Sequence, residues 1–424
     1  MGNTGVGWKA LRQYDLENTN TAIGAEAMSG AGASNSCVAI GNETLAGSTT
    51  SDADGTVAIG FKAANSITSG QGNTAIGYQA LKVEDDGDFN TAVGYGVFEK
   101  QTGTSGTTAN SGLGYRAGYY NTTGVKNTYI GYHSGFGVSG NANSSNSALG
   151  YRSLVGITTG TVNTAMGESA GASATTASGS VFLGADAGGT VTTGNQNIAI
   201  GYDAMKGATT TGDNNIAVGV SAGDALTSGF LNIAIGGKAG SAINTGNTNT
   251  VIGFQSGLSL TTASGSVSIG TSAMAIATTG NNNIAIGNAA ANGGNTTGDN
   301  NIAIGTTAGD ALTSGKTNIL MGFLAGLDIT TGNENTVVGS RALGTATTAT
   351  FNVAIGGDAM FGVPSGQAVS GVVAVGLEAL KGGSNTTTGI NNTVAIGNAA
   401  LKALSTGAKN IAIGYEAQLS QTTG

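Results

Sequence analysis

GNTAIGYQAL, residues 72–81, is the phrase on which the whole chain is built. Residues 194–205 read GNQNIAIGYDAM, 280–291 read GNNNIAIGNAAA and 407–417 read GAKNIAIGYEA. Aligning the copies on the glycine that ends the AIG phrase gives anchors from Gly7 to Gly414. There are 24 copies; sixteen of the 23 intervals are 17 residues long and the other seven are 18 to 21. A short period held along a chain is the signature of a solenoid in which each repeat makes one coil.

Columns of the alignment are numbered from the anchor. Position −1 is Ile, Val, Leu or Met in every copy, and position −3 is almost wholly Thr, Val or Ile. Alternation of β-branched residues implies a strand with one buried face. The reading that follows puts the −1 column in the core: Ile23, Ile40, Ile59, Ile76, Val93, Ile130, Ile200, Ile235, Ile286, Ile304, Ile355, Ile396 and Ile413. The small residue between them at −2, usually Ala, then points to the opposite face. Position +3 is Ala in 19 of 24 copies, followed by a large apolar residue or glycine, and this segment reads as a second short strand running back. Asn fills −4 in 18 copies, where it either stacks into an amide ladder or supports the turn into the strand. Glycine at −7, in 13 copies, marks a turn.

The expected fold is therefore all-β: a parallel β-solenoid of about 24 coils, read as one continuous repeat domain over residues 1–424. Coils spaced ~4.8 Å apart would give a rod on the order of 115 Å long. Columns of Ala and Gly on the outer strand face would let neighbouring chains approach closely, so self-association is expected, as an intertwined or side-by-side homotrimer. Neither end offers a polar cap, so other domains or proteins are expected to cover both ends.

Composition narrows the function classes. Charged residues are 9% of the chain, against about 25% in ordinary soluble domains. The net charge of −8 comes without any Lys/Arg cluster, which argues against a nucleic-acid partner. No run of 18 apolar residues suggests a membrane span, and no signal-peptide core is seen at the start. The single cysteine, Cys37, stands in the −4 column and reads as a small packed residue.

NTAIGYQAL, followed by TTG and a return to N-x-A-I-G, resembles the head repeats of trimeric autotransporter adhesins, and more closely the repeat arrays of bacteriophage tail-fibre proteins. The resemblance runs from Asn3 to Leu419. It implies a trimeric left-handed β-roll, located in a virion tail fibre or, alternatively, at a cell surface. The adhesin heads typically carry a shorter repeat. The implied function is a structural and adhesive fibre segment that extends toward a host cell and helps recognise it. Its partners would be further copies of itself, other fibre or tail proteins, and a glycan or protein receptor. A bacterial adhesin or an extracellular filament is the alternative, and an ice-binding solenoid a minor one, because Thr falls in turns or in the column read as inward.

No cofactor and no catalytic turnover are expected. His133 is the only histidine, and it reads as an exposed surface residue. Position +1 holds Phe61 and then Tyr78, Tyr95, Tyr115, Tyr132 and Tyr151 in consecutive coils, with Tyr119 and Tyr120 nearby. Stacked coils would line these rings into an exposed ladder, and aromatic faces in a row suit sugar rings. Two acidic turns, Asp52 with Asp54 and Glu84 with Asp85, Asp86 and Asp88, are candidate calcium ligands. Longer intervals after Gly41, Gly94, Gly131, Gly356 and Gly376 mark protruding loops suited to recognition.

Overall fold

The computed structural model describes residues 2–14, 19–103, 106–365, 367–382 and 388–423. Residues 104–105, 366 and 383–387 of the extended turns expected after Gly94, Gly356 and Gly376 lie outside that set. The chain is an all-β parallel β-solenoid that divides into two compact units, Met1–Asn214 and Asn215–Gly424. Among the described residues each unit carries twelve three-residue strands, one per coil, from Thr4–Val6 to Ile198–Ile200 in the first and from Ile216–Val218 to Ile411–Ile413 in the second. Within each unit successive strands pair in parallel with like columns opposite, as in Thr74↔Thr91, Ala75↔Ala92 and Ile76↔Val93. Register survives the longer intervals: Ser111 still pairs with Thr91 across twenty residues. Among the described residues, helix is confined to the 3-10 turn Ser51–Ala53.

The strands are the reverse of the expected orientation. In coil after coil the middle Ala is buried while its neighbours are half-buried or exposed. None of Ile23, Ile40, Ile59, Ile76, Val93, Ile130, Ile200, Ile235, Ile286, Ile304, Ile355, Ile396 and Ile413 is buried in the chain; Ile23 is 40% exposed and Ala22 beside it 0%. The interior is made instead from Ala at −2 and +3, Leu or Met at +4, aliphatics such as Ile157, Leu226 and Ile243 at +7, and Asn at −4. The Thr residues at −3 likewise face outward.

Space explains the inversion. At Gly112, a −2 position, an added Cβ would lie 2.5 Å from Val97 Cγ1 and 2.7 Å from Phe98 Cε2, so glycine there makes room for a bulky pair at +3 and +4 of the preceding coil. A branched side chain at −2 fits only where glycine clears room at +4. A Cβ on Gly171 would meet Phe182 Cδ2 at 2.6 Å, and one on Gly326 would meet Leu320 Cδ2 at 2.7 Å. The choice between a large apolar residue and glycine at +4 is thus volume compensation.

The second segment is not a strand. Its residues at +2 and +4 are left-handed, as at Gln79 (φ 56°) and Leu81 (φ 48°), each costing about 1–2 kcal/mol against right-handed backbone. Bonds between coils hold this turn: Gln79 N–H donates to Phe61 O (2.9 Å) in the coil before, and Leu81 N–H to Val97 O (3.0 Å) in the coil after. The anchor glycine is required twice over. Gly253 has φ 132°, and a Cβ on it would sit 2.6 Å from Gly270 O.

Both readings of the Asn column hold together. Asn335 N–H donates to Asn318 Oδ1 (3.1 Å), extending an amide ladder, while Asn318 Nδ2 donates to Gly332 O (2.8 Å) in the turn of the next coil. Both side chains are buried, so these bonds satisfy groups that have no access to water. Cys37 occupies this column as a free, buried thiol.

Candidate functional site

The first unit carries the aromatic side chains in bulk. Position +1 follows the anchor turn, and the backbone bond from each +2 N–H to the preceding +1 carbonyl fixes the ring spacing. Phe61, Tyr78, Tyr95, Tyr115, Tyr132 and Tyr151 form one continuous stack, with centroids 4.7 to 5.2 Å apart and planes within 11° to 22° of parallel. Each ring remains 36% to 48% exposed. The stack changes what the ladder can do. The faces of the inner rings cover one another, so only their edges are open, and sugar stacking on ring faces is not available along its length.

Tyr119 and Tyr120 lie in a second cluster around Phe136. Tyr119 stacks on Phe136 at 5.4 Å, and Tyr120 meets both edge-on. His133 joins the two groups: its ring is 4.1 Å from Tyr132 and 4.4 Å from Phe136. It is therefore a packed residue rather than a free surface histidine. Burial first, and then Arg116 and Arg152 beside it, hold its pKa below the ordinary histidine range. Arg116 spreads over three rings, 5.0 Å from Tyr119, 5.3 Å from Tyr115 and 5.9 Å from Tyr95. Burial, and Glu99 after it, raise the Tyr119 phenol.

The acidic turns are not brought together as metal ligands. Among the described residues no group of three or more His, Cys, Asp or Glu is placed to hold an ion. Several of these carboxylates are instead occupied by neighbouring coils. Asp54 Oδ1 accepts from Asn35 N (2.5 Å), Asp88 Oδ1 from Gln71 N (2.9 Å), and Asp85 Oδ1 from the Thr68 hydroxyl. Asp52 sits in the 3-10 turn capped by Thr50, and Asp86 stands near Glu84 around Gly103. Glu84 turns inward at +7 and accepts from Gly87 N (2.7 Å), and burial raises its pKa above the usual carboxylate range.

The sequence reading missed two further features of these coils. The inward +7 column becomes polar at Glu84, Gln101 and Asn121, leaving Glu84 Oε2, Gln101 Nε2 and Asn121 Oδ1 buried without partners. Tyr129 is fully buried at −2, its hydroxyl donating to Asn143 Oδ1. The signal was present in both cases as a polar or aromatic residue in a column otherwise small or aliphatic. In the second unit the +2 and +5 positions carry ion pairs: Arg341 holds Asp358 through two bonds of 2.8 Å, and Lys381 and Lys402 keep Glu378 ionised, with a pKa of about 2.

Neither a protein family model nor a curated protein matches the chain.

Proposed function

We propose that this chain is a segment of a homotrimeric adhesive fibre, most simply of a bacteriophage tail, that extends toward a cell and presents a contact surface without catalytic turnover. The single observation that carries the reading is the pair of outward columns at −3 and −1. Two columns, one wholly aliphatic and the other Thr, Ser, Val or Ile, run half-buried or exposed along the parallel sheet of each unit. Fully burying one such side chain is worth about 1.5–3 kcal/mol, and a regular apolar face of this extent marks a surface that meets a partner. A copy of the same chain is the partner whose repeat matches it coil for coil. Around Ile130, Leu149 and Met166 the columns border a shallow groove of about 160 Å³, into which an aliphatic side chain of a facing copy fits.

Sedimentation equilibrium tests this directly. The expected mass is three times the 40.9 kDa chain. Replacing Ile233, Ile235, Ile284 and Ile286 together by Asp should release folded monomers. A native chain that stays monomeric at every concentration, yet keeps its β signal, contradicts the reading.

A further inference from the structure

We propose that Arg116, His133 and Arg152 form a strip that binds a carboxylate-bearing polysaccharide lying along the tyrosine ladder. The inference rests on the fibre reading for its biological setting and names the class of ligand that reading leaves open.

The three residues occupy position +2 in three successive coils. Elsewhere in that column Lys9, Lys62 and Arg341 pair with an acid one coil away, at Glu26 (3.2 Å), Glu43 (3.2 Å) and Asp358 (2.8 Å), while Lys238 stands between Ser221 and Gln255. Here the column runs Gly96, Arg116, His133, Arg152, Ser169. Among the described residues no carboxylate pairs with any of the three. Glu99, the acid nearest Tyr119, is engaged by Lys100 at 2.9 Å, and Glu168 in the coil after Arg152 makes no ion pair with it. The strip therefore brings two arginines into one column, with no acid at +2 in the coils on either side.

Three tyrosine rings hold the Arg116 guanidinium in place, so little side-chain entropy remains to be lost when an anion arrives. An arginine–carboxylate pair is charge-assisted and supports two parallel bonds.

The neighbouring ladder selects among anions. Ring faces are occupied by stacking, and the exposed ring edges recur every 4.7 to 5.2 Å beside the basic column. An extended acidic polysaccharide, with a carboxylate and hydroxyls on each pyranose, repeats on the same scale and fits both rows at once. A nucleic acid is less well served: phosphate tracking needs many cations, and the strip holds two arginines.

Hexamers of galacturonate, mannuronate and sialate, each beside its methyl ester, would be titrated calorimetrically into the full-length chain. At least one acid should bind, its ester should not, and Arg116→Gln or Arg152→Gln should weaken it about tenfold with an unchanged melting midpoint. Binding should also weaken with salt. The proposal is overturned if no acid binds, if an ester or polyglutamate binds equally well, or if both variants bind like the native chain. A chain that forms trimers and adheres to cells yet binds none of the acids loses this site and keeps the fibre reading; an acid-binding monomer does the reverse.

Discussion

Two stretches of the molecule share one backbone and differ in what they hang on it. The coils anchored at Gly77, Gly94 and Gly114 carry Tyr at +1 and Glu84, Gln101 and Asn121 at +7. Those anchored at Gly236, Gly253, Gly305 and Gly322 carry Gly, Phe or Thr at +1, and Ile243, Leu260, Leu312 and Ile329 at +7. Strand length, parallel register and the Asn ladder are the same in both. The backbone ladder and the inward Ala columns therefore set the coil, while +1, +2 and +7 are open to variation. The first stretch gives up interior quality, with several buried polar atoms unpartnered at about 1–3 kcal/mol each. It gains a surface of stacked rings, worth about 0.5–1.5 kcal/mol per pair beyond burial.

The comparison can be broken most forcefully at the large inward side chains. Tyr129→Ala should cost about 3–5 kcal/mol and Leu320→Ala about 2–5 kcal/mol, read as denaturant midpoints. Tyr129 should lose the more, because Asn143 Oδ1 also loses its hydroxyl donor and keeps the longer bond from Asn146 Nδ2 (3.3 Å). Equal and small losses would mean that the interiors are loosely packed in both stretches. Next in size is the feature the two share. Asn318→Ala removes the acceptor for Asn335 N–H and the donor to Gly332 O, and should cost about 2–3 kcal/mol.

A smaller effect has the opposite sign. Gln101→Leu gives the first stretch the aliphatic +7 residue of the second and should stabilise the chain by about 1 kcal/mol, since Asn110 keeps its bond to Gly124 O. The subtlest test is the pH dependence at Glu84. Its carboxyl, raised by burial, keeps a proton in the folded chain after the unfolded chain has lost its own. Its contribution is thus fully present below the unfolded value of 4.5 and declines as pH rises through the folded value. Glu84→Gln should remove that slope from midpoints measured between pH 4 and pH 8.

The period, the strand at −3 to −1 of each coil and the aromatic stack were legible because they depend on spacing alone. The direction of the strand was not. Alternation of Thr74, Ala75 and Ile76 defines two faces but does not say which is inside, and hydrophobicity points to Ile76. The decision is made by volume: the −2 column is Ala in most coils and takes a residue such as Phe182 or Leu320 where glycine at +4 clears the space. The return segment was misread for a related reason. Its left-handed residues, Lys62, Gln79 and Leu81 among them, are of types that rarely adopt that conformation, and bonds between coils impose it. The basic strip was overlooked because Arg116, His133 and Arg152 lie 17 and 19 residues apart and become neighbours only once the coils stack.

One paired measurement bears on the inverted strand most directly. Ala285→Asp and Ile286→Asp place the same charge one residue apart, and thermal unfolding followed by circular dichroism reads the outcome. The account predicts that Ala285→Asp lowers the midpoint sharply while Ile286→Asp leaves it nearly unchanged under conditions that keep the chain monomeric. The reverse order would put the aliphatic column inside and contradict it.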